Sequence, residues 1–459
     1  MSEKLCGLDP KPIESLLGRA GDPARIFVAY SGGLDSHVLL HLCHSVPALR
    51  ARLTAVHVHH GLQEAADAWS LHCKKTAEQW GIGFRELRVN AKAEGRESPE
   101  EAGRNARYRA LQSLLDHDDV LLVAQHREDQ LETVLLQLFR GAGLPGLSAM
   151  PDIMTLGQGL LLRPLLHVAK TAIFEYARLH RLHWVEDPSN QSDEFDRNFL
   201  RNQVLPLLKQ RWPALDKTVS RSARHCAEAQ SLIAQVAEDL LDRVLTVDDM
   251  TLTISELQRL DRYRQRLVVR QWFASLGLKM PSLAFVSRLL IEVIAAPETA
   301  DPVLENQGCI IRRYRGRLFC VAASDSEPEL DDLVWRKDEA ALVLPDGGRL
   351  LRVKAEAGID ACLWQTAEIM VKFRRGGEKI GLPGRTGRRS LKNLYQEAGI
   401  PPWERRSIPL LYIDGHLAAV ADLWVSAEFY KSKNGPCLKL VWEKENKNRK
   451  GNDERTIVD

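Results

Sequence analysis

The chain has 459 residues, 44% of them hydrophobic, and a formal net charge of +2, so it can fill about three domains with real cores while its overall charge argues neither for nor against a polyanionic partner. Residues 1–10 carry charges and a proline where a secretory signal needs an unbroken apolar run, and no uncharged apolar stretch is long enough to cross a bilayer. A cytoplasmic protein with no membrane partner is the expectation.

In chain order, strand-like runs at residues 25–30, 53–58, 84–89 and 120–124 alternate with helical patterns at 36–45, 65–80, 98–115 and 127–140. That rhythm is an α/β parallel sheet covered on both faces, with ligands expected beyond the carboxyl ends of its strands. The third helix is the best punctuated, with Ser98 as N-cap, Pro99 in the first turn and Glu101 completing a capping box.

Between the first strand and first helix stand Ser31-Gly32-Gly33-Leu34-Asp35-Ser36. Adjacent glycines let several N–H groups converge on one anion, the two serines add hydroxyls, and the helix adds its positive end. A Walker-type loop needs G-x-x-x-x-G-K-[ST], and no lysine stands here. A plain tight turn is one alternative. The other is the pyrophosphate loop of ATP pyrophosphatases, S-G-G-x-D-S, which the hexamer resembles at every fixed position and which implies transfer of AMP rather than of a terminal phosphate.

The helix from residue 127 opens with His126-Arg127-Glu128-Asp129-Gln130-Leu131-Glu132-Thr133. Asp129 and Glu132 share a face, with Leu131, Val134, Leu135 and Leu138 as the buried stripe. Acids beside a nucleotide suggest magnesium; acids complementing the helix dipole explain the same pattern. A glycine-rich stretch, residues 140–147, is expected to be a mobile loop closing over substrate. Residues 186–190, Glu-Asp-Pro-Ser-Asn, precede Arg197 and Arg201, one helical turn apart and able to face an anion.

Residues 213–323 read as mostly helical, with helices at 213–245, 255–276 and 282–295, closed by a hairpin at 309–322 about Arg315-Gly316. Their arginines 262, 264, 266 and 270 read as a solvated face. An acidic linker, 324–332, leads to a smaller mixed α/β domain at 333–442, and the charged tail 443–459 is expected to be disordered. Between Lys372 and Arg406 ten Lys or Arg face three Glu, which fits an RNA partner, with Tyr395 and Trp403 either stacking on bases or filling the core. The eight cysteines are scattered without C-x-x-C or metal-ligand spacing and read as reduced, mostly buried thiols.

Together S-G-G-L-D-S, H-R-E-D-Q-L-E-T, R-G-A-G-L-P-G-L, D-P-S-N and R-N-F-L-R resemble the bacterial tRNA(Ile)-lysidine synthetase family, and so, independently, do residues 373–385 and 390–403. The resemblance implies a PP-loop, adenine nucleotide alpha hydrolase-like domain at 1–212, a helical domain at 213–323 and a tRNA-binding domain at 333–442. It implies a ligase that uses ATP to adenylate carbon 2's oxygen on the wobble cytidine of CAU-anticodon tRNA(Ile). Free L-lysine then displaces AMP, and the codon read changes from AUG to AUA.

By the same resemblance Ser31, Gly32, Gly33, Leu34, Asp35 and Ser36 bind ATP, Asp35, Asp129 and Glu132 surround magnesium, and these three acids with Arg197 are catalytic. Arg374, Arg375, Arg385, Arg388, Arg389 and Lys392 bind RNA, and the state is monomer or homodimer. Some relatives carry paired histidines where this chain has Gln125-His126. A tRNA thiolase would need a cysteine pair or an iron–sulfur cluster, which the cysteine spacing does not offer. A non-enzymatic RNA-binding protein would not need the intact loop and acids.

Overall fold

The computed structural model describes residues 8–59, 66–89, 99–186, 192, 195–297, 300–306, 308–322 and 331–444. These fall into two compact units, Met1–Ile233 and Ala234–Asp459.

In the first unit, short apolar runs become β1 (Arg25–Ala29), β2 (Leu53–His59), β3 (Gly83–Arg88) and β4 (Asp119–Leu122), all parallel, in the order β3-β2-β1-β4. Alternation along β1 sends Ile26 and Val28 into one core and Phe27 into the other, so both faces are buried, as a parallel sheet requires. Arg25 holds the start of β1 to β4 through two hydrogen bonds, each 2.7 Å, to the buried Asp119 carboxylate.

The helices are α1 (Lys11–Arg19), α2 (Leu34–Ser45), α3 (Pro47–Arg50), α4 (Ala66–Gln79), α5 (Pro99–Gln112) and α6 (Arg127–Phe139). They are followed by α7 (Leu144–Leu147), α8 (Lys170–Leu179), α9 (Asp196–Phe199), α10 (Leu205–Arg211) and α11 (Leu215–Val244). Ser98 and residues 187–191 lie outside the described residues, as does the tail from 445.

The sheet has two strands that the sequence reading did not include. A hairpin of β5 (Ile153–Leu156) and β6 (Gly159–Leu162) extends it past β4, with β6 parallel to β4 and β5 antiparallel at the edge. The stretch expected as a mobile loop is partly the single turn α7, and the segment after it is tied down by the Gln130 amide, which donates to Met150 O (2.8 Å) and accepts from Met150 N (3.0 Å). Leu138, expected in the buried stripe of α6, is 53% exposed.

In the second unit β7 (Leu245–Thr246), β8 (Thr251–Thr253), β9 (Val303–Asn306), β10 (Cys309–Tyr314) and β11 (Arg317–Ala322) form one sheet, ordered β7-β8-β11-β10-β9. As anticipated, the β10–β11 hairpin turns at Arg315 and Gly316; both sit at positive φ. The helix expected over 255–276 is two, α12 (Ile254–Gln258) and α13 (Arg262–Ser275), because Asp261 caps the second by accepting from Tyr263 N and Arg264 N. Next, α14 (Leu283–Arg288) continues as a wider π-type turn to Ile294.

The remainder of this unit is mostly antiparallel strand. It comprises β12 (Leu333–Val334), β13 (Ala341–Val343), β14 (Arg349–Asp360), α15 (Ala361–Thr366), β15 (Ile369–Lys372), β16 (Lys379–Gly381) and β17 (Arg388–Ser390). Then follow α16 (Leu391–Glu397), β18 (Leu410–Ile413), β19 (His416–Val420), β20 (Trp424–Val425) and β21 (Tyr430–Glu443). Trp335 and Trp364 meet edge to face at 4.9 Å in its core. No helix among the described residues is long and apolar enough to cross a membrane.

Helix α2 carries an unusual stripe, the buried His37 and the half-buried His41 and His44, packed among Tyr30, His72, Trp80, Tyr176, His180 and His183. His37 Nδ1 bonds Tyr30 OH and His41 Nδ1 bonds Tyr176 OH, each at 2.9 Å. Burial first, then the neighbouring imidazoles, pushes His37 and His41 each down to about 4. A depressed histidine makes the unfolded chain take up protons before the folded one does, so stability is full above pH 6.5 and falls as pH drops toward 4. Thermal midpoints of the whole chain should therefore fall between about pH 7 and about pH 5. His41→Gln, which can still bond Tyr176 but takes up no proton, should flatten that slope; an acid limb unchanged in both His37→Gln and His41→Gln would place the titration elsewhere.

Candidate functional site

The loop after β1 is shaped by its own side chains. Gly32 sits at φ +85°, and a Cβ there would stand 3.0 Å from Cys73 Sγ, so only glycine fits this turn. Gly33 is extended and serves as N-cap, which starts α2 at Leu34, earlier than the sequence pattern indicated, and puts Leu34, Asp35 and Ser36 in the first helical turn. Ser36 Oγ donates to Gly33 O (3.0 Å), accepts from Ser31 N (3.2 Å) and meets Ser31 Oγ at 3.1 Å. The serines thus brace the turn instead of both projecting into solvent. Because no side chain caps α2, its first-turn N–H groups stay available to an anion.

Facing this turn, the start of α6 gathers acids about one imidazole. His126 is buried, with Glu128 Oε2 at 3.4 Å, Asp129 Oδ2 at 3.5 Å and Asp35 Oδ2 at 3.7 Å. Burial pulls His126 down most strongly, yet the neighbouring Glu128, Asp129 and Asp35 carboxylates outweigh it and raise its pKa, although its Nδ1 finds no hydrogen-bond partner of good geometry. Burial pushes Glu128 up, but His126, the Lys170 amide and Lys209 together bring it down to about 2. Asp35 is raised, chiefly by burial, although His126, Lys170 and Arg201 oppose the shift. Its Oδ1 is buried and accepts no hydrogen bond.

Glu132 lies elsewhere than expected. It is 1% exposed, and its Oε1 accepts from Arg201 Nε (2.7 Å) while its Oε2 accepts from Arg197 Nε (2.8 Å) and Arg201 Nη2 (2.9 Å). Arg197 also donates to Thr133 Oγ1 (3.0 Å), and Arg201 reaches Asp129 Oδ1 (3.1 Å). Both guanidinium groups therefore consume the Glu132 carboxylate, so it is not a free metal ligand. Arg197 acts here as its partner, off the cleft wall. Asp129 is engaged as well, its Oδ1 by Arg201 and its Oδ2 by His126 N (2.9 Å), so the acceptor left without a donor here is Asp35 Oδ1; among the described residues no three His, Cys, Asp or Glu converge on one metal position.

Asp35 and Asp129 line a cleft of about 850 Å³ that also includes Ser31, Gly33, Leu34 and Ser36. Its walls are apolar at Val56, Val58 and Leu111 and aromatic at Trp69, Tyr108 and Trp184. Its cations are Lys170, Arg107 and Arg201, so a polyphosphate would meet positive groups on several sides. Sequence reasoning missed Lys170, Arg107, His57 and Trp184. The two strand-end positions His57 and His59 were readable as cleft residues from the fold rule alone; Lys170 and Arg107 carried no local signal. Glu186 lines the cleft, on a segment held to the loop by Val185 N donating to Gly32 O (2.9 Å).

In the second unit much of the basic segment's first half and both arginines of β17 are in ion pairs. Arg374 lies 3.8 Å from Glu378, Arg375 bonds Asp332 (3.0 Å), Arg388 bonds Glu428 (3.4 Å) and Arg389 bonds Glu397. Arg385 and Lys392 form no ion pair among the described residues. Tyr395 is fully buried in the core, whereas Trp403 packs on Phe319 (5.3 Å) and Tyr314 (6.1 Å), beneath Arg312 (5.4 Å). Of the cysteines, Cys43, Cys73, Cys309 and Cys437 are buried and Cys362 is exposed.

Three family models match the chain: a PP-loop domain over residues 11–208, a TilS substrate binding domain over 252–319 and a TilS substrate C-terminal domain over 369–442. The tRNA(Ile)-lysidine synthase of Methylococcus capsulatus is 41% identical over 406 residues, 88% of this chain and 92% of that protein. That of Pectobacterium atrosepticum is 39% identical over 441 residues, covering 95% and 98%.

The Glu132 arrangement makes a stability prediction. Removing a fully desolvated carboxylate strands two arginines, so Glu132→Ala should destabilise the first unit by about 3 kcal/mol, seen as a lower urea midpoint at unchanged slope. An unshifted midpoint would show that the arginines find other partners at no cost.

Proposed function

Because this chain belongs to the tRNA(Ile)-lysidine synthase family, we propose that its cleft activates a cytidine of CAU-anticodon tRNA(Ile) with ATP and joins free L-lysine to it. The chain is an ATP-using carbon–nitrogen ligase acting on tRNA. The observation that carries the finer reading is the meeting of the uncapped α2 amides with Asp35 and Asp129 in one cleft.

On this reading the α2 amides, with Gly32 and Gly33 shaping the turn, hold the β and γ phosphates of ATP. The cytidine carbonyl oxygen attacks the α phosphorus and pyrophosphate leaves; the lysine ε-amine then attacks carbon 2, and AMP leaves with the oxygen. Lys170 and Arg201 balance the charge that builds on the phosphates. The orphaned Oδ1 of Asp35, raised by burial, and the nearby Asp129 carboxylate fit magnesium. When bound, that ion would neutralise phosphate charge and stabilise the departing pyrophosphate. Glu132 and Arg197 act one step back, as positioning residues that fix Asp129 and Arg201.

Incubation with ATP, labelled lysine and unmodified CAU tRNA should place label in the RNA and release AMP and pyrophosphate. Asp35→Asn should lower the rate by roughly a hundredfold or more. It should also abolish the rise in thermal midpoint that ATP with magnesium gives the parent chain. Sulfur incorporation without lysine incorporation would overturn the reading in favour of a thiolase.

A further inference from the structure

A groove of about 430 Å³ opens on the second unit between α16 and the β20–β21 turn, far along the chain from the cleft residues. Its floor is apolar, made by Leu394, Ala398, Val425 and Trp424, and Trp424 is backed by the buried Tyr395 ring at 5.6 Å. Its rim carries Arg385 and Tyr430, the latter 39% exposed. The groove is large enough for one nucleobase with its sugar.

Charge selects its occupant. Glu397, the acid in the lining, is neutralised by Arg389, and Glu428 beyond it by Arg388, whereas Arg385 forms no ion pair among the described residues. Glu397 thus faces two guanidinium groups, Arg389 and the nearby Arg385, so the groove presents aromatic and aliphatic surface beside a net positive charge. That combination suits a ligand with a flat apolar face and an adjoining negative charge, the two parts of a nucleotide lifted out of a stack. An apolar peptide would leave Arg385 unused.

We propose that this groove captures a single unstacked nucleotide of the tRNA, with its base against Trp424 and Tyr430 and its phosphate on Arg385. The proposal rests on the reading of tRNA as substrate and adds a contact separate from the base that reacts. Stacking supplies affinity with little dependence on salt, while the Arg385 contact releases counterions and so is salt-dependent.

The test uses the full chain and labelled tRNA in filter binding across a salt series. Tyr430→Ala should weaken binding about tenfold with the salt slope unchanged, and Tyr430→Phe should restore it. Arg385→Ala should weaken binding and reduce the salt slope by about one. A short single-stranded oligonucleotide should compete with tRNA for the parent chain and compete less well for Tyr430→Ala. The proposal is overturned if both alanine variants bind tRNA as the parent does, or if they alter self-association instead of RNA binding. Failure of the parent chain itself to bind tRNA would overturn the substrate reading instead, so the two failures are distinguishable.

Discussion

A carboxylate removed from water must be neutralised where it stands, and Glu132 is such a group: 1% exposed in the middle of α6, with both oxygens taken by Arg197 and Arg201. This desolvated triad ties α6 to the chain some 65 residues downstream and fixes the rotation of α6 about its axis. With Glu132 directed at the arginines, the preceding turn can bring Glu128 and Asp129 only to the side where His126 and Asp35 lie. The acid face of the cleft is thus set by a buried contact in which Arg201 alone lines the cleft.

The cleft then works by leaving opposed charges close but incompletely paired. Against the pull of burial, three carboxylates raise the pKa of His126, while Asp35 keeps an oxygen with no donor and is disfavoured as an anion by burial. A cation beside that oxygen would relieve the cost of its burial. On the other side the uncapped amides of α2 are unsatisfied in the opposite sense, wanting an anion. The ATP that this family uses would meet the second need with its phosphates, and on the proposed reading a cation carried with it would meet the first.

The alternating strands and helices of the first unit were legible because period and punctuation are local, and so was the S-G-G-L-D-S turn. The β5–β6 hairpin was legible in principle: Ile153 to Leu162 is an apolar run broken by a Gly157-Gln158 turn, and its shortness hid it. What no local pattern could tell was direction. Asp129 and Glu132 share a helical face by spacing, yet their fates differ because Arg197 and Arg201 reach one more fully than the other. Lys170 and Arg107 enter the cleft from elements with no motif of their own. The serines of the loop show the same limit, since a hydroxyl that seems free in sequence closes the turn in space.

The basic segment shows how a charge count along the chain overstates a charged surface. Its surplus, already net of Glu378 and Glu397 within it, is reduced further by Asp332 and Glu428, which lie outside it. Exposed pairs of this kind contribute little to stability, but they orient the guanidinium groups and lower the non-specific pull on any polyanion. Recognition must then rely more on shape. Trp403, set against Phe319 and Tyr314 with Arg405 donating to Tyr314 OH (3.3 Å), joins the β10–β11 hairpin to the segment after α16 within one unit. A ligand held along α16 is therefore held at a fixed distance from that hairpin, and a weakly charged surface can choose among RNAs by where their unstacked bases fall.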